Sequence, residues 1–191
     1  MNMSDTYQIV ISGVGGQGVL FITRLLAEAA IAKGLPVFTS ETHGMAQRGG
    51  TVISHLKVGA FTSPLINPGR ADGLIALKAE SLDQHGGYVK GGGWAAVNHN
   101  TAAGAGDQRF RVYCLDADRL ARELSNPKSL NLLMLGFALA RMSRNDNNAE
   151  ALYCSVDEIA AVLHKRLENK KKRLQSSIRA LMTGADSRGN G

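Results

Sequence analysis

Cysteine is scarce in this sequence. The two cysteines in 191 residues, Cys114 and Cys154, are far apart and form no C-x-x-C pair. The chain alone therefore has neither the ligand set of an iron–sulfur cluster nor the spacing of a zinc site. His85, His99 and His164 are also scattered without ligand spacing, and we predict no metal site. Because cysteine is commonly buried, we expect two free thiols inside the fold.

Long apolar runs are absent as well. The longest, such as residues 19–22 and 132–135, are far shorter than the ~20 residues with which a helix spans a bilayer. We therefore expect no membrane contact. The first residues, MNMSDTYQ, lack the basic and apolar regions of a secretory signal, which predicts a cytoplasmic location.

Aromatic residues make up only 5% of the chain, whereas 44% is hydrophobic and 20% is charged, an ordinary composition for a globular protein. The formal net charge is +6, and much of the excess lies in one C-terminal cluster: Lys165, Arg166, Lys170, Lys171, Lys172 and Arg173. No aromatic residue interrupts this cluster. Nucleic-acid binding is therefore less favoured than a solvated helix face or an interface with an acidic partner.

Short apolar or alternating segments predict six strands. They lie at residues 7–12, 37–39, 51–58, 73–77, 94–98 and 111–115. The run at 51–58 alternates, which predicts a half-buried, antiparallel strand with His55 on a polar side, at the surface or an interface. The glycine-rich GGYVKGGG before residue 94 is typical of a turn.

Helix-like segments separate and follow these strands. They lie at residues 19–33, 116–124 and 130–142 and through the C-terminal third. Ser155 and Glu158 have the spacing of a capping box, and apolar residues recur on one side of a final helix: Leu167, Leu174, Ile178 and Leu181. We predict one three-layer α/β/α domain over residues 1–183, with a mostly parallel, mixed sheet and a helical C-terminal segment. A flexible tail is expected at residues 184–191.

The stretch ISGVGGQGVL contains four glycines in six positions, Gly13, Gly15, Gly16 and Gly18. Three of them satisfy G-x-G-x-x-G between a predicted strand and a helix, where backbone N–H groups can hold a phosphate. A second interpretation is structural: the glycines only let the helix pack close to the sheet.

A second motif, ETHGMAQRGG, contains Glu41, His43 and Arg48. Glu41 follows the second predicted strand at the distance expected of a ribose-binding acid, so an NAD-binding domain is one interpretation. The planar guanidinium of Arg48 can hold a carboxylate or phosphate through two hydrogen bonds, or brace the loop against Glu41. His43 is a candidate for proton exchange with a substrate, or a simple hydrogen-bonding residue.

Together, GVGGQG and ETHGMAQRGGTV resemble the gamma domain of 2-oxoacid:ferredoxin oxidoreductases, with the closest likeness to beta subunits of the indolepyruvate branch. The likeness continues, in pattern only, through residues 63–66, the ADGLIAL strand and residues 126–136. In that family a much larger partner carries thiamine diphosphate, Mg²⁺ and [4Fe–4S] clusters, and the complex oxidatively decarboxylates a 2-oxoacid to an acyl-CoA. The resemblance implies a small oxidoreductase subunit, inactive alone, for indolepyruvate or another arylpyruvate, with ferredoxin reduced through the larger subunit.

The resemblance also implies a place for coenzyme A. Its phosphates would meet the glycine loop, where the four glycines leave room and Gln17 adds an amide contact. Arg48, His43 and Glu41 would then contact the substrate or the active site of the partner. A free-standing dinucleotide-binding domain and a non-catalytic assembly subunit stay open as alternatives.

Overall fold

The computed structural model describes residues 6–43, 50–100, 109–143 and 152–189, without the side chain of His43. These residues form strands β1 (Tyr7–Val14), β2 (Val37–His43), β3 (Thr51–Val58), β4 (Ala71–Ala76), β5 (Val89–Asn98) and β6 (Arg111–Leu115). They also form helices α1 (Val19–Ala32), α2 (Glu80–His85), α3 (Ala117–Glu123), α4 (Leu130–Ser143), α5 (Val156–Arg166) and α6 (Lys171–Asp186). The capping box predicted at the start of α5 is confirmed, with both reciprocal bonds between Ser155 and Glu158.

The six strands form one mixed sheet in the order β2-β3-β1-β4-β5-β6. Strand β3 is antiparallel to both of its neighbours, β1 and β2, whereas β1, β4, β5 and β6 run parallel. The predicted α/β fold with a mixed sheet is thereby confirmed. The carboxyl ends of the parallel strands meet at one edge of the sheet, where ligands commonly bind in open α/β folds.

Helices α1, α4, α5 and α6 share a large apolar core with one face of the sheet. Helix α1 buries Ile22, Leu25 and Leu26 completely, as its apolar sequence predicts. Helices α4 and α6 touch backbone to backbone, because a Cβ on Gly184 would lie 2.0 Å from the carbonyl oxygen of Leu133. The predicted tail boundary at residue 184 is therefore wrong: α6 continues to Asp186.

The other face of the sheet has a second, smaller core, to which Ile66 of the loop after β3 contributes. This cover buries the side of β3 that was expected to be polar and exposed, and His55 is only 3% exposed. The surface prediction for His55 is wrong, since the covering loop has no periodic sequence signal. The turn predicted at GGYVKGGG is also wrong in part, because β5 begins at Val89.

Both cysteines are free and buried, as predicted. Among the described residues, no helix combines the length and apolar character needed to cross a membrane. The same part of the chain contains no group of three His, Cys, Asp or Glu side chains placed to hold a metal ion.

Two histidines occupy the second face. His55 Nδ1 accepts a hydrogen bond from the Ile66 N–H at 3.4 Å, and its ring meets Tyr88 edge-on at 5.3 Å. A 2.8 Å hydrogen bond joins His85 Nδ1 to Ser12 Oγ. The pKa of His55 is lowered mainly by burial, and further by the nearby His85 and Lys57. Burial also lowers the pKa of His85.

We predict that acidification destabilises the fold through these histidines. A lowered pKa means that the unfolded chain binds more protons than the folded chain between the folded value and about 6.5. The contribution of the two neutral histidines to the free energy of unfolding is therefore fully present above pH ~6.5, and it is lost as the pH falls through their lowered pKa values. Melting temperatures measured from pH 7.5 to 5 should fall for the wild type, and less so for His55→Asn. His164→Asn, at an exposed position, is the control. If the melting temperature of His55→Asn fell with pH as steeply as that of the wild type, His55 would not be a source of the acid sensitivity.

Candidate functional site

The glycine loop, residues 14–18, connects β1 to α1 through one tight turn. Gln17 N–H donates to the Val14 carbonyl at 3.1 Å, and Gly16 has a φ of 90°. A positive φ at the third position of a hydrogen-bonded turn is the type II geometry, which favours glycine. Gly18 then caps α1 with a φ of 85°. Two of the four glycines are therefore required by the backbone alone.

Gln17 braces this loop from inside. Its Oε1 accepts a hydrogen bond from the Val14 N–H at 2.9 Å, and its Nε2 donates to the Leu77 carbonyl at 3.3 Å. A Cβ on Gly13 would lie 2.7 Å from that Oε1, and Gly13 is the penultimate residue of β1. The structure thus gives Gln17 and Gly13 internal packing roles, and ligand contact by either stays a prediction.

Gly18 joins the starts of α1 and α4. A Cβ at this position would lie 2.0 Å from Asn131 Nδ2, in the first turn of α4. Asn131 is 7% exposed, and its Oδ1 accepts the Leu132 N–H at 2.8 Å. The missing side chain of Gly18 therefore leaves room for the amide of Asn131 against the loop.

Gly15 and Gly16 differ from the other two glycines. Among the described residues, nothing lies within 4 Å of a Cβ built on either of them. They border a groove of about 460 Å³, lined also by apolar Phe21 and Val52. These are the loop positions at which no described residue covers the backbone.

Two arginines line this groove. They are Arg24 and Arg166, and Arg166 also lies over the Phe21 ring at 5.9 Å and forms an ion pair with Glu28. Helix α1 begins without a side-chain cap or an acidic residue in its first turn. Its first N–H groups have no acceptor within the helix and carry part of a ~+0.5 charge. The groove is suited to an anion attached to an apolar group.

The end of the second motif, ETHGMAQRGG, lies next to the glycine loop. Gly15 N–H donates to the Gly50 carbonyl at 3.3 Å, so the segment that follows Arg48 returns to the glycine loop. Arg48 itself lies outside the described residues. Glu41 and His43 belong to β2, paired with Ser54 and Val52 of β3. Glu41 is not among the described residues that line the groove, and the side chain of His43 lies outside the described part of the chain.

One polar cluster at the carboxyl edge was not predicted from sequence. Asn98, at the end of β5, donates from Nδ2 to the Leu77 carbonyl at 3.1 Å and to Asp118 Oδ2 at 2.8 Å. Its Oδ1 accepts the Ala117 N–H at 3.0 Å. Asn98 thus links β4, β5 and α3 next to the brace of Gln17. The sequence signal for this cluster is an Asn at the end of one strand followed, after the next strand, by a helix start with two Asp residues.

Comparisons with known proteins agree with this geometry. A profile of the pyruvate ferredoxin/flavodoxin oxidoreductase family matches residues 8–187. The indolepyruvate oxidoreductase subunit IorB of Archaeoglobus fulgidus is 55% identical over 75 residues, which are 39% of this chain and 37% of that protein. The subunit of the same name from Thermococcus kodakarensis is 30% identical over 151 residues, 68% of this chain and 75% of that protein.

Solved structures show the same fold at low identity. The gamma subunit of a keto/oxoacid ferredoxin oxidoreductase from Geobacter sulfurreducens has a TM-score of 0.74 at 22% identity, covering 94% of this chain and 96% of that one. The 2-oxoglutarate:ferredoxin oxidoreductase of Magnetococcus marinus, solved with 2-oxoglutarate, coenzyme A and succinyl-CoA, has a TM-score of 0.75 at 19% identity. The match covers 95% of this chain and 30% of that longer one.

We predict that Gly18→Ala destabilises the chain by roughly 1–3 kcal/mol, because the new methyl group meets Asn131 and the residue must keep a positive φ. Gly15→Ala should change the free energy of unfolding by less than about 0.5 kcal/mol, since its site is open. Denaturant unfolding of both variants measures the difference. Equal effects would show that Gly18 is not a packing position.

Proposed function

Because this chain belongs to the pyruvate ferredoxin/flavodoxin oxidoreductase family, we propose that it is the small subunit of a 2-oxoacid:ferredoxin oxidoreductase that acts on indolepyruvate or a related arylpyruvate. The observation that carries this proposal is the family match over residues 8–187. The names of the Archaeoglobus and Thermococcus relatives support indolepyruvate. The complex would oxidatively decarboxylate the 2-oxoacid to an acyl-CoA and reduce ferredoxin.

A larger partner subunit would carry the remaining chemistry. Neither the described side chains nor the spacing of the two cysteines suits a metal ion or a [4Fe–4S] cluster. Thiamine diphosphate, its Mg²⁺ and the clusters therefore belong to the partner in this proposal. The purified chain should be colourless and inactive until that subunit is added.

Coenzyme A fits the groove at the glycine loop. Gly15 and Gly16 leave the backbone open, the start of α1 offers N–H donors, and Arg24 and Arg166 supply cations near an apolar wall. Coenzyme A combines phosphates with long uncharged segments, and when bound it would supply the thiol that accepts the acyl group. The coenzyme A in the Magnetococcus structure belongs to a protein of the same fold and supports this assignment.

The dinucleotide-binding alternative fits the sheet less well. In a Rossmann fold the acid that binds the ribose ends the strand next to β1. Here β3 lies between β1 and β2, so the strand of Glu41 is two spacings, about 10 Å, from β1 instead of about 5 Å. Glu41 is therefore poorly placed for a ribose bound at the glycine loop.

We predict that Gly15→Ala weakens coenzyme A binding to the assembled complex about tenfold. The Gly15 N–H already donates to the Gly50 carbonyl, but the methyl group would crowd the neighbouring Gly16 N–H, whose bond to a phosphate is worth roughly 1.5–3 kcal/mol. Gly87→Ala is the matched control, because its site is equally open and lies away from the groove lining. Calorimetry with coenzyme A and NAD on the complex tests both ligands.

Two results would contradict the coenzyme A assignment. If coenzyme A bound wild type and Gly15→Ala equally well, it would not bind at the glycine loop. The proposed role as a small subunit would be unaffected by that result. Tighter binding of NAD, weakened by Glu41→Ala, would favour the dinucleotide alternative.

Arg48 stays our proposed contact with the oxoacid or coenzyme A. In the complex, Arg48→Ala should lower kcat/KM about tenfold to a hundredfold, by loss of a charge-assisted hydrogen bond. Its melting temperature should barely change, and Arg48→Lys should recover little activity, because an ammonium lacks the two-pronged geometry. A destabilised but catalytically normal Arg48→Ala, matched by Glu41→Ala, would instead indicate an ion pair that braces the loop.

A further inference from the structure

Four consecutive cations form the start of α6. Lys170 is the N-cap residue, and Lys171, Lys172 and Arg173 make the first turn, which contains no acidic residue and no side-chain cap. We call these four residues the basic turn. All four are exposed, and no ion pair within 4 Å joins any of them to another of the described residues.

The basic turn is unfavourable for the isolated chain. The N-terminus of a helix carries partial positive charge and is stabilised by acidic residues, not by cations. Like charges three residues apart, as at Lys170 and Arg173, also repel. Helix α5 follows the usual pattern, with Asp157 and Glu158 in its first turn and cations in its last turn. The start of α6 reverses this pattern.

The basic turn lies at the same edge of the domain as the glycine loop. Helices α1 and α4 begin together, where Gly18 meets Asn131. Helix α6 begins beside the start of α4, since Lys172 and Arg179 line a shallow depression with Asn126, just before α4. At the other end, Arg141 near the end of α4 donates to the Gly189 carbonyl at 3.2 Å, after α6. The starts of α1, α4 and α6 and the cations of the groove therefore concentrate positive charge on this part of the edge, whereas the acids Asp116 and Asp118 lie at the start of α3.

We propose that the basic turn docks an acidic face of the larger subunit. This inference rests on the proposed function, in which the glycine-loop edge must face the partner where the acyl group is transferred. Unpaired cations on that edge then lie in or around the interface, where an acidic surface would speed association and set orientation. A single-stranded nucleic acid is a poorer match, because residues 165–179 contain no aromatic side chain for base stacking.

The test is a pair of double variants of the full chain. Lys171→Glu/Lys172→Glu reverses two charges in the basic turn. Arg70→Glu/Arg188→Glu makes the same change in net charge at exposed positions on the opposite edge, before β4 and after α6. Melting temperature is measured on the isolated chain, and association with the larger subunit is measured at 50 and 300 mM NaCl.

We expect opposite effects on stability and association. Reversal in the basic turn should raise the melting temperature by about 2–6 °C, because acids suit a helix start. The same variant should slow association about tenfold or more at low salt, with a smaller difference at 300 mM NaCl. The control variant should associate at close to the wild-type rate.

Other outcomes overturn the proposal. A lower melting temperature would show that the cations support the fold. If the basic-turn variant associated at the wild-type rate, or if the control variant lost as much, the larger subunit would not bind at this surface. A single-stranded 20-nucleotide DNA that bound more tightly than the larger subunit, with binding lost in the variant, would assign the surface to nucleic acid. Failure of the wild-type chain to bind the larger subunit would overturn the proposed function as well.

Discussion

Close backbone contact at the start of α1 is the constraint on which the candidate site depends. Gly13 admits the side chain of Gln17 against β1, and Gln17 ties Val14 to Leu77 at the end of β4. Gly18 admits Asn131 and so brings the start of α4 to the same point. Two strands and two helices therefore meet within one five-residue connection. A methyl group at either glycine would meet one of these side chains and require it to move.

This arrangement divides the glycines by function. Gly13 and Gly18 are occupied from inside by neighbouring side chains, whereas Gly15 and Gly16 face open space among the described residues. A loop held rigidly on its inner side presents its outer amides without further ordering on binding, which favours affinity. The structural and phosphate-binding interpretations of the motif are therefore compatible, because they apply to different glycines.

Charge follows the same edge. The start of α1 lacks an acid or a side-chain cap, Arg24 and Arg166 line the groove, and α6 begins with cations only. The cations at the start of α6 do not stabilise an isolated domain, because positive charges at a helix N-terminus oppose the backbone dipole. The edge is instead consistent with a surface that is completed by acidic or phosphorylated groups from outside the chain.

The sequence alone was enough to predict the order of most helices and strands, and to identify the family. Apolar periodicity located β1, α1 and α4, because burial of one face imposes a repeat, and the two glycine motifs identified the family later matched over residues 8–187. Only the tertiary structure decided which glycines are packed and which are open, since Asn131 and Leu77 are distant in sequence from the loop that they contact. It also decided the burial of His55, because the covering loop has no periodic pattern. Local signals follow from neighbours along the chain, and the roles of individual site residues follow from neighbours in space.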